Sequence, residues 1–212
     1  MADNEYDRIA DALASDRWLV IGDWLEASLQ RDLLETARAR AASGALVPAR
    51  VGRGDGVQRV AEIRADAIQW LEPEDPAPCV GELLARLDAL RSALNERLYL
   101  SLAGLEAHFA HYPPGAAYRR HLDRFRSDDA RTVSAVIHLG EPWRPEHAGA
   151  LRIYLEGPDG EVSIDIAPNP GQLVVFLSGE IEHEVLPTRR DRYSVACWMR
   201  RRPPGPMPVG HG

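Results

Sequence analysis

Residues 112–125 read YPPGAAYRRHLDRF and place His121 two positions before Asp123, among aromatic and basic side chains. Alternate side chains of a β-strand point to the same face, so a strand here would project an imidazole and a carboxylate side by side. This pair supplies two of the three protein ligands of a facial metal site. The stretch therefore predicts a metal centre carried on a strand.

A second histidine is needed to complete such a centre. Two histidines and one carboxylate on one face of an octahedral ion leave the other positions open, as in non-haem Fe(II) oxygenases. His183, in the strand-like segment GEIEHEVLP, is the best candidate, and Arg192 and Ser194 follow it. The alternative is that H-x-D is a surface accident and that His183 is an ordinary core histidine.

The last strand-like segment, residues 192–200, favours the metal site. Arg192 and Ser194 share one face of this segment with Ala196 and Trp198. Arginine presents a planar pair of donors that suits a carboxylate, and a hydroxyl adds a further donor. This face is unusual for a core and predicts a carboxylate pocket.

The composition limits the classes of function. The chain has 212 residues, of which 45% are hydrophobic and 27% are charged, as is typical of soluble globular proteins. The net charge of -7 disfavours binding to nucleic acid or to an anionic membrane. Its two cysteines lack C-x-x-C spacing and are too few for a disulfide scaffold or a thiolate zinc site. Without a signal region or a long apolar run, we expect a cytoplasmic protein.

Helical and strand periodicities follow one another along the chain. Helices are predicted at residues 6–13, 26–43 and 81–98. Strands are predicted at residues 18–25, in two short pieces within 60–71, and at 132–139, 150–155, 162–166, 172–177, 182–186 and 192–200. Helices first and many short strands after predict an α+β fold. We expect a double-stranded β-helix, or jelly roll, supported by N-terminal helices.

The domain organisation follows from the same pattern. We expect a single domain over residues 1–202, with its core sheet at about 105–200 and supporting helices within 5–100. Residues 47–58 (VPARVGRGDGVQ) lack periodicity and are predicted to form a lid loop over the site; the alternative is a solvated connection. Residues 203–212 are rich in proline and glycine, which predicts a flexible tail.

Together, H-x-D at residues 121–123, His183 and R-x-S at residues 192–194 resemble the 2-oxoglutarate and Fe(II)-dependent oxygenases. More narrowly, the chain resembles the prolyl 4-hydroxylases related to the animal oxygen-sensing enzymes, and most closely their bacterial homologues that act on elongation factor Tu. The resemblance is densest in YPPGAAYRRHLDRFRSDD, WRPEHAGALRIYL and FLSGEIEHEVLPTRRDRYSVACWMRRR.

The resemblance implies a role for each matching residue. His121, Asp123 and His183 would bind Fe(II), while Arg192 would hold the far carboxylate of 2-oxoglutarate. The other implied cosubstrate contacts are Tyr112, Ser194 and His138. The implied pocket and substrate contacts are Tyr118, Arg131, Trp198, Arg64 and Asp66.

The implied activity is hydroxylation of a prolyl residue in a protein, coupled to decarboxylation of 2-oxoglutarate to succinate and CO2. Fe(II), 2-oxoglutarate and O2 are the implied cofactors, with ascorbate as a further candidate. The implied partner is a protein with a target proline, elongation factor Tu being suspected, and we expect a monomer or weak dimer.

Three alternatives remain open. The same site would also serve an oxygenase of a free amino acid or another small molecule. An inactive protein that responds to 2-oxoglutarate or oxygen is a second alternative. A zinc-binding structural jelly roll is the third, but it would have no need of Arg192 and Ser194.

Two positions depart from the family pattern. Where the family usually has a tyrosine that binds the 2-oxoglutarate carboxylate, the segment IHLG places His138. We expect His138 to donate a hydrogen bond instead, more strongly when it is protonated, with altered affinity. Ala65 replaces a common loop glycine, which we expect to stiffen the loop. His108, His111 and His147 have no partner at useful spacing and are expected to take no direct part.

Overall fold

The computed structural model describes residues 2–49, 64–124 and 130–202. Its helices are α1 (Ala2–Ser15), α2 (Ala27–Ala42) and α3 (Pro78–Leu98). Its strands are β1 (Trp18–Ile21), β2 (Val47–Pro48), β3 (Ala67–Leu71), β4 (Leu102–Tyr112), β5 (Tyr118–His121), β6 (Arg131–Leu139), β7 (Leu151–Gly157), β8 (Gly160–Ile166), β9 (Leu173–Leu177), β10 (Glu182–Val185) and β11 (Arg192–Arg201).

The strands form two antiparallel sheets packed face to face. The larger sheet has seven strands in the order β1-β9-β6-β11-β4-β3-β2, and the smaller has four in the order β5-β10-β7-β8. Side chains of β4 and β9 pack against side chains of β7 and β10 in one apolar cluster between the sheets. The predicted jelly roll with a few helices is confirmed.

The alternation of side chains divides the larger sheet between two environments. On β11, Tyr193, Val195 and Cys197 join the apolar core beneath the helices, whereas Arg192 and Ser194 line the cavity between the sheets. Successive strand residues point to opposite faces of the sheet. One face packs against the helices, and the other face is available for a site.

The helices follow the predicted periodicity with small shifts at their ends. Helix α3 begins at Pro78, three residues before the predicted start. A proline is well tolerated in the first turn because its missing N–H would have no acceptor within the helix. Strand β1 ends at Ile21 instead of residue 25, since the chain turns at Asp23, which has a positive φ of 52°.

Some predicted features lie outside the described residues. The described part of the predicted lid loop is residues 47–49, of which Val47 and Pro48 pair with β3. Residues 50–63, which include most of that loop and the start of the first predicted strand in 60–71, lie outside the described ranges, as do 203–212. None of the helices in the described ranges is long and apolar enough to span a bilayer.

Candidate active site

Three predicted ligands come together at one end of the cavity between the sheets. The ligand atoms of His121, Asp123 and His183 all lie within 4.8 Å of one another. His183 on β10 lies directly opposite His121 on β5. The Nε2 atom of His121 is 3.5 Å from Oδ1 of Asp123, and the Nε2 atom of His183 is 3.6 Å from Oδ2.

The prediction that both members of the H-x-D pair lie on a strand is wrong. Strand β5 ends at His121, so Asp123 lies in the bend that follows it. The chain leaves the sheet because the N–H of Arg124 donates to the carbonyl of Ser178, in the turn after β9, at 3.1 Å. The carboxylate therefore reaches the histidines from a bend, and strand alternation does not orient it.

Both histidines are oriented by their second ring nitrogen. Nδ1 of His121 donates to the carbonyl of Arg119 at 2.7 Å, and Nδ1 of His183 donates to the carbonyl of Ile181 at 3.2 Å. These bonds fix the proton on Nδ1 and leave the lone pair of each Nε2 facing the carboxylate. This donor set fits a divalent transition metal.

The charge states of the buried ligands also suit a metal. Burial would raise the pKa of Asp123, but the neighbouring His183 and His121 and the Ser134 hydroxyl lower it well below its usual value. Burial lowers the pKa of His183 to about 4. Carboxylate and imidazole are thus both deprotonated at neutral pH, which is the state that binds metal.

A buried arginine marks a second part of the cavity. Arg192 is only 1% exposed, and it donates to the carbonyl of Gly149 at 3.1 Å and to Oγ of Ser194 at 3.3 Å. Within the described ranges, no carboxylate forms an ion pair with it. Burial lowers its pKa, although the nearby Tyr112 and Asp66 partly offset this effect. A buried guanidinium that no carboxylate of the described residues pairs with fits a ligand carboxylate.

His138 lies next to this guanidinium. Nη2 of Arg192 donates to Nδ1 of His138 at 3.3 Å, which places the imidazole proton on Nε2. In the described part of the chain, that Nε2 is buried without a hydrogen-bond partner. Burial and the Arg192 charge lower the pKa of His138 far below 6.5. Burial and the neighbouring guanidinium therefore favour the neutral ring, and the hydrogen bond expected from His138 to the cosubstrate stays a prediction.

The predicted pocket residues surround the metal end of the cavity. The ring of Tyr118 stacks on His121 with centroids 3.7 Å apart. Arg64 lies over Tyr118 at 4.8 Å and forms a two-bond ion pair with Asp66, at 2.7 and 2.9 Å. The guanidinium carbon of Arg131 lies 3.7 Å from the centre of the Trp198 ring.

Most of the predicted site residues meet in this one cavity. Its lining includes Arg64, Tyr112, Tyr118, His121, Asp123, His183, Arg192, Ser194 and Trp198. The other three predicted residues do not line it directly but contact residues that do: Asp66 binds Arg64, Arg131 stacks on Trp198, and His138 accepts from Arg192.

His108 is a cavity residue that the sequence interpretation missed. It does have a partner, because Nη2 of Arg64 donates to its Nε2 at 3.5 Å while its Nδ1 donates to the carbonyl of Phe109 at 3.0 Å. Its ring also contacts Trp70 and Trp198, at centroid distances of 5.1 and 5.2 Å. Counting back in steps of two from the cavity residue Tyr112 would have placed it on this face.

The buried His108 predicts a loss of stability in acid. Burial and the Arg64 charge lower its pKa to about 4, from an ordinary value of 6.5. Below pH 6.5 the unfolded chain binds a proton at this position that the folded chain does not, so the free energy of unfolding falls as the pH drops. The expected loss between pH 6.5 and 4 is roughly 3 kcal/mol.

Urea unfolding of the metal-free protein at several pH values tests this prediction. The variant His108→Gln should lose less stability on acidification than the wild type. The control is His111→Gln, since His111 binds Asp191 outside the cavity at 2.7 Å. An acid response of His108→Gln equal to that of the wild type would contradict the assignment.

Comparison with known proteins shows which family this chain resembles in sequence and fold. Residues 107–200 match the family model of the 2OG-Fe(II) oxygenase superfamily. The fold is similar to that of a Pseudomonas putida prolyl-4-hydroxylase, with 47% sequence identity and a TM-score of 0.83, covering 93% of this chain and 100% of that chain.

Two further solved structures are similar. A Trichoplax adhaerens prolyl hydroxylase in complex with a hypoxia inducible factor peptide has 25% identity and a TM-score of 0.85, covering 93% of this chain and 90% of that one. The epimerase SnoN from nogalamycin biosynthesis has 17% identity and a TM-score of 0.67, covering 99% and 89%, and this likeness concerns the fold alone. By its match over residues 107–200 and its identity to the P. putida enzyme, the chain belongs to the 2OG-Fe(II) oxygenase superfamily.

Proposed function

We propose that this protein hydroxylates a prolyl residue of a protein substrate, using Fe(II), 2-oxoglutarate and O2. The observation that carries the proposal is one cavity that holds both a His-Asp-His set and a buried arginine for which the described residues offer no carboxylate partner. The 47% identity to a prolyl-4-hydroxylase supports the choice of proline.

Two groups of cavity residues would bind the metal and the cosubstrate. His121, Asp123 and His183 would hold the metal, and Arg192 with Ser194 would hold the far carboxylate of 2-oxoglutarate. When bound, the metal and the oxo acid supply the oxidising chemistry that hydroxylates a C–H bond. The protein orients both groups by fixed hydrogen bonds before they bind, which lowers the entropic cost of assembling the site.

Apolar walls keep water away from the reacting groups. Val136 and Leu151 line the cavity, and the ring of Phe176 lies 4.7 Å from that of His183. Tyr112, also in the lining, is buried, and burial raises the pKa of its phenol, so its hydroxyl stays protonated and able to donate. Exclusion of water strengthens each electrostatic contact inside.

The rim of the cavity supports a polypeptide substrate. Arg64, which is held by Asp66, and Trp198, which lies under Arg131, both line the cavity. Trp70, which is 44% exposed, continues this surface outward. Aromatic and arginine side chains are enriched in protein-binding surfaces, and Trp70 is the exposed member of this set. Elongation factor Tu is the first candidate substrate, in keeping with a cytoplasmic enzyme.

The experiment that tests the proposal is anaerobic reconstitution with Fe(II), followed by aerobic turnover of 2-oxoglutarate with and without purified elongation factor Tu. Succinate is measured together with the mass of the switch-loop peptide. We expect succinate formation and the addition of one oxygen to that peptide, and we expect both to be lost in the variant His121→Ala.

Other outcomes separate the alternatives. Succinate without a mass shift would keep the oxygenase and discard elongation factor Tu, after which free amino acids and other small molecules become the substrates to test. Absence of both succinate and an Fe(II)-dependent visible band with 2-oxoglutarate would favour an inactive binding protein.

Substitution of His138 tests the cosubstrate end of the site. The variants His138→Phe and His138→Tyr differ by one hydroxyl, so any packing cost is common to both. A hydrogen bond to a charged group contributes about 1.5–3 kcal/mol, so we expect the phenylalanine variant to bind 2-oxoglutarate roughly tenfold or more weakly than the tyrosine variant. The shift in thermal midpoint caused by 2-oxoglutarate measures the difference, and equal shifts would remove His138 from the cosubstrate site.

The neutral state of His138 also bears on pH dependence. Because its N–H is present without protonation of the ring, we propose that this bond to the cosubstrate persists across pH 6.5–8.

Stimulation by ascorbate, a cytoplasmic location and a monomeric or weakly dimeric state stay predictions of the family resemblance.

A further inference from the structure

Two serine hydroxyls connect to the carboxylate of Asp123 in a buried chain. Oγ of Ser134 donates to Oδ2 of Asp123 at 2.7 Å, and Oγ of Ser178 lies 2.8 Å from Oγ of Ser134. All three residues are buried: Asp123 is 7% exposed, Ser134 is 1% exposed and Ser178 is 0% exposed. Neither serine belongs to the His-Asp-His set, and Ser178 does not line the cavity.

The direction of the chain follows from counting protons. A carboxylate only accepts hydrogen bonds, and a serine hydroxyl has a single proton. Ser134 gives its proton to Asp123, which means that Ser178 must donate to Ser134. Each bond in such a chain polarises the next, so the bond to the carboxylate is stronger than that from an isolated serine.

The backbone of Ser178 anchors the far end of the chain. Its N–H donates to the carbonyl of Thr132 on β6 at 3.0 Å, and its carbonyl accepts from the N–H of Arg124 at 3.1 Å. Ser178 also lies in the turn between β9 and the strand that carries His183. One residue thereby joins the bend of Asp123, strand β6 and the turn that leads to His183.

Asp123 needs such support more than the other two ligands. His121 and His183 lie on paired strands and are fixed by their Nδ1 bonds to backbone carbonyls. Asp123 lies in a bend, where the direction of its carboxylate is set by side-chain contacts. Outer hydrogen bonds that orient a ligand typically contribute a factor of about 10–100 in metal affinity.

We propose that Ser134 and Ser178 are positioning residues that hold the Asp123 carboxylate in the orientation that binds the metal. This inference rests on the metal centre of the proposed function and not on its substrate. Ser134 acts directly on the carboxylate, whereas Ser178 acts through Ser134. Loss of Ser134 should therefore weaken metal binding more than loss of Ser178.

The test is the affinity of the metal-free protein for Mn(II), measured by the loss of the free-ion electron paramagnetic resonance signal, without 2-oxoglutarate or substrate. The variants Ser134→Thr and Ser134→Val have nearly the same shape, but only the first keeps the hydroxyl. We expect about 10–100-fold weaker binding for the valine variant, near wild-type binding for the threonine variant, and an intermediate loss for Ser178→Ala.

A neighbouring residue provides the control. Thr132 precedes Ser134 by two positions on β6, and its hydroxyl proton is donated to the backbone carbonyl of Ala130 at 3.2 Å. The variant Thr132→Val should bind Mn(II) as the wild type does. Thermal midpoints of all variants are measured without metal, so that a general loss of structure is distinguished from a specific loss of affinity.

Several outcomes would overturn the inference. Equal Mn(II) affinity of the valine and threonine variants would remove the role of the hydroxyl, and wild-type affinity in Ser178→Ala would remove the relay. If the Ser134→Val variant does not fold, the test is the comparison of Ser178→Ala with Thr132→Val, and equal Mn(II) affinities of these two variants would overturn the inference. A wild type that binds Mn(II) but does not hydroxylate proline would contradict the proposed substrate and leave this inference intact, whereas a wild type without Mn(II) affinity would overturn both.

Discussion

Replacement of His183 with leucine is expected to lower the affinity for Mn(II) or Fe(II) by more than about 100-fold and to reduce succinate formation to background. Groups that merely orient a metal ligand typically contribute about 10–100-fold, so removal of one of three direct ligands must cost more. Leucine fills a similar volume beside Phe176, which lies against the His183 ring at 4.7 Å. The variant should therefore remain folded.

The matched control is His111→Leu. His111 also lies on a strand, but it binds Asp191 and stacks on Tyr193 outside the cavity. Mn(II) titration and the visible band of the anaerobic Fe(II) protein with 2-oxoglutarate are measured for both variants. Near wild-type metal affinity in His183→Leu would mean that the metal is held by a different donor set.

Strand alternation explains why so much of the site could be predicted. On β11 the sequence places Arg192 and Ser194 on one face and Tyr193 and Val195 on the other, and the structure keeps that division. A period of two depends only on local backbone geometry. Where a strand runs through the site, the residues that face the cavity follow directly from one correctly assigned position.

The same reasoning fails where a strand ends. The H-x-D spacing is compatible with a strand, yet β5 stops at His121 and Asp123 lies in a bend. The stop depends on a backbone bond from Arg124 to Ser178, which is distant in sequence. Such a tertiary contact leaves no local pattern, so the spacing indicated the candidate ligands but not how Asp123 is oriented.

Long-range pairs account for the residues that the sequence did not reveal. Ser134 and Ser178 are 44 positions apart, and His108 is equally far from its partner Arg64, which the sequence did indicate. Each residue taken alone is an ordinary polar side chain on a strand or in a turn. Its significance appears only when the sheet topology brings it to a partner, which single-sequence periodicity does not encode.

The charge of a buried group is another property that spacing does not give. The sequence identifies His138 as the replacement for a family tyrosine, and an exposed histidine there would be protonated near pH 6. In the fold, the ring is fully buried and lies 3.3 Å from the Arg192 guanidinium. Burial and that charge keep the ring neutral, so this histidine offers one N–H, as a tyrosine offers one O–H.

The substitution Arg192→Met should separate function from stability. A buried charge that loses its partner typically costs about 2–5 kcal/mol of binding, which predicts a loss of 2-oxoglutarate affinity on the order of 100-fold or more. In the described ranges the guanidinium has no carboxylate partner and is 1% exposed. Without 2-oxoglutarate, methionine in its place should leave the protein as stable as the wild type or more stable, because the desolvation of a buried charge is costly.

The control for this prediction is Arg190→Met, two residues earlier. Arg190 lies over Trp143 and near Glu141 at the surface, with 29% of its side chain exposed. Thermal midpoints are measured with and without 2-oxoglutarate. Arg192→Met should lose the shift caused by the ligand while its midpoint without ligand does not fall, and Arg190→Met should behave as the wild type in both measurements. A strongly destabilised Arg192→Met would instead assign the guanidinium to the fold, through its bonds to Gly149 and Ser194. A ligand-induced shift that is lost in Arg192→Met and kept in Arg190→Met would identify Arg192 as the residue that binds the carboxylate of 2-oxoglutarate.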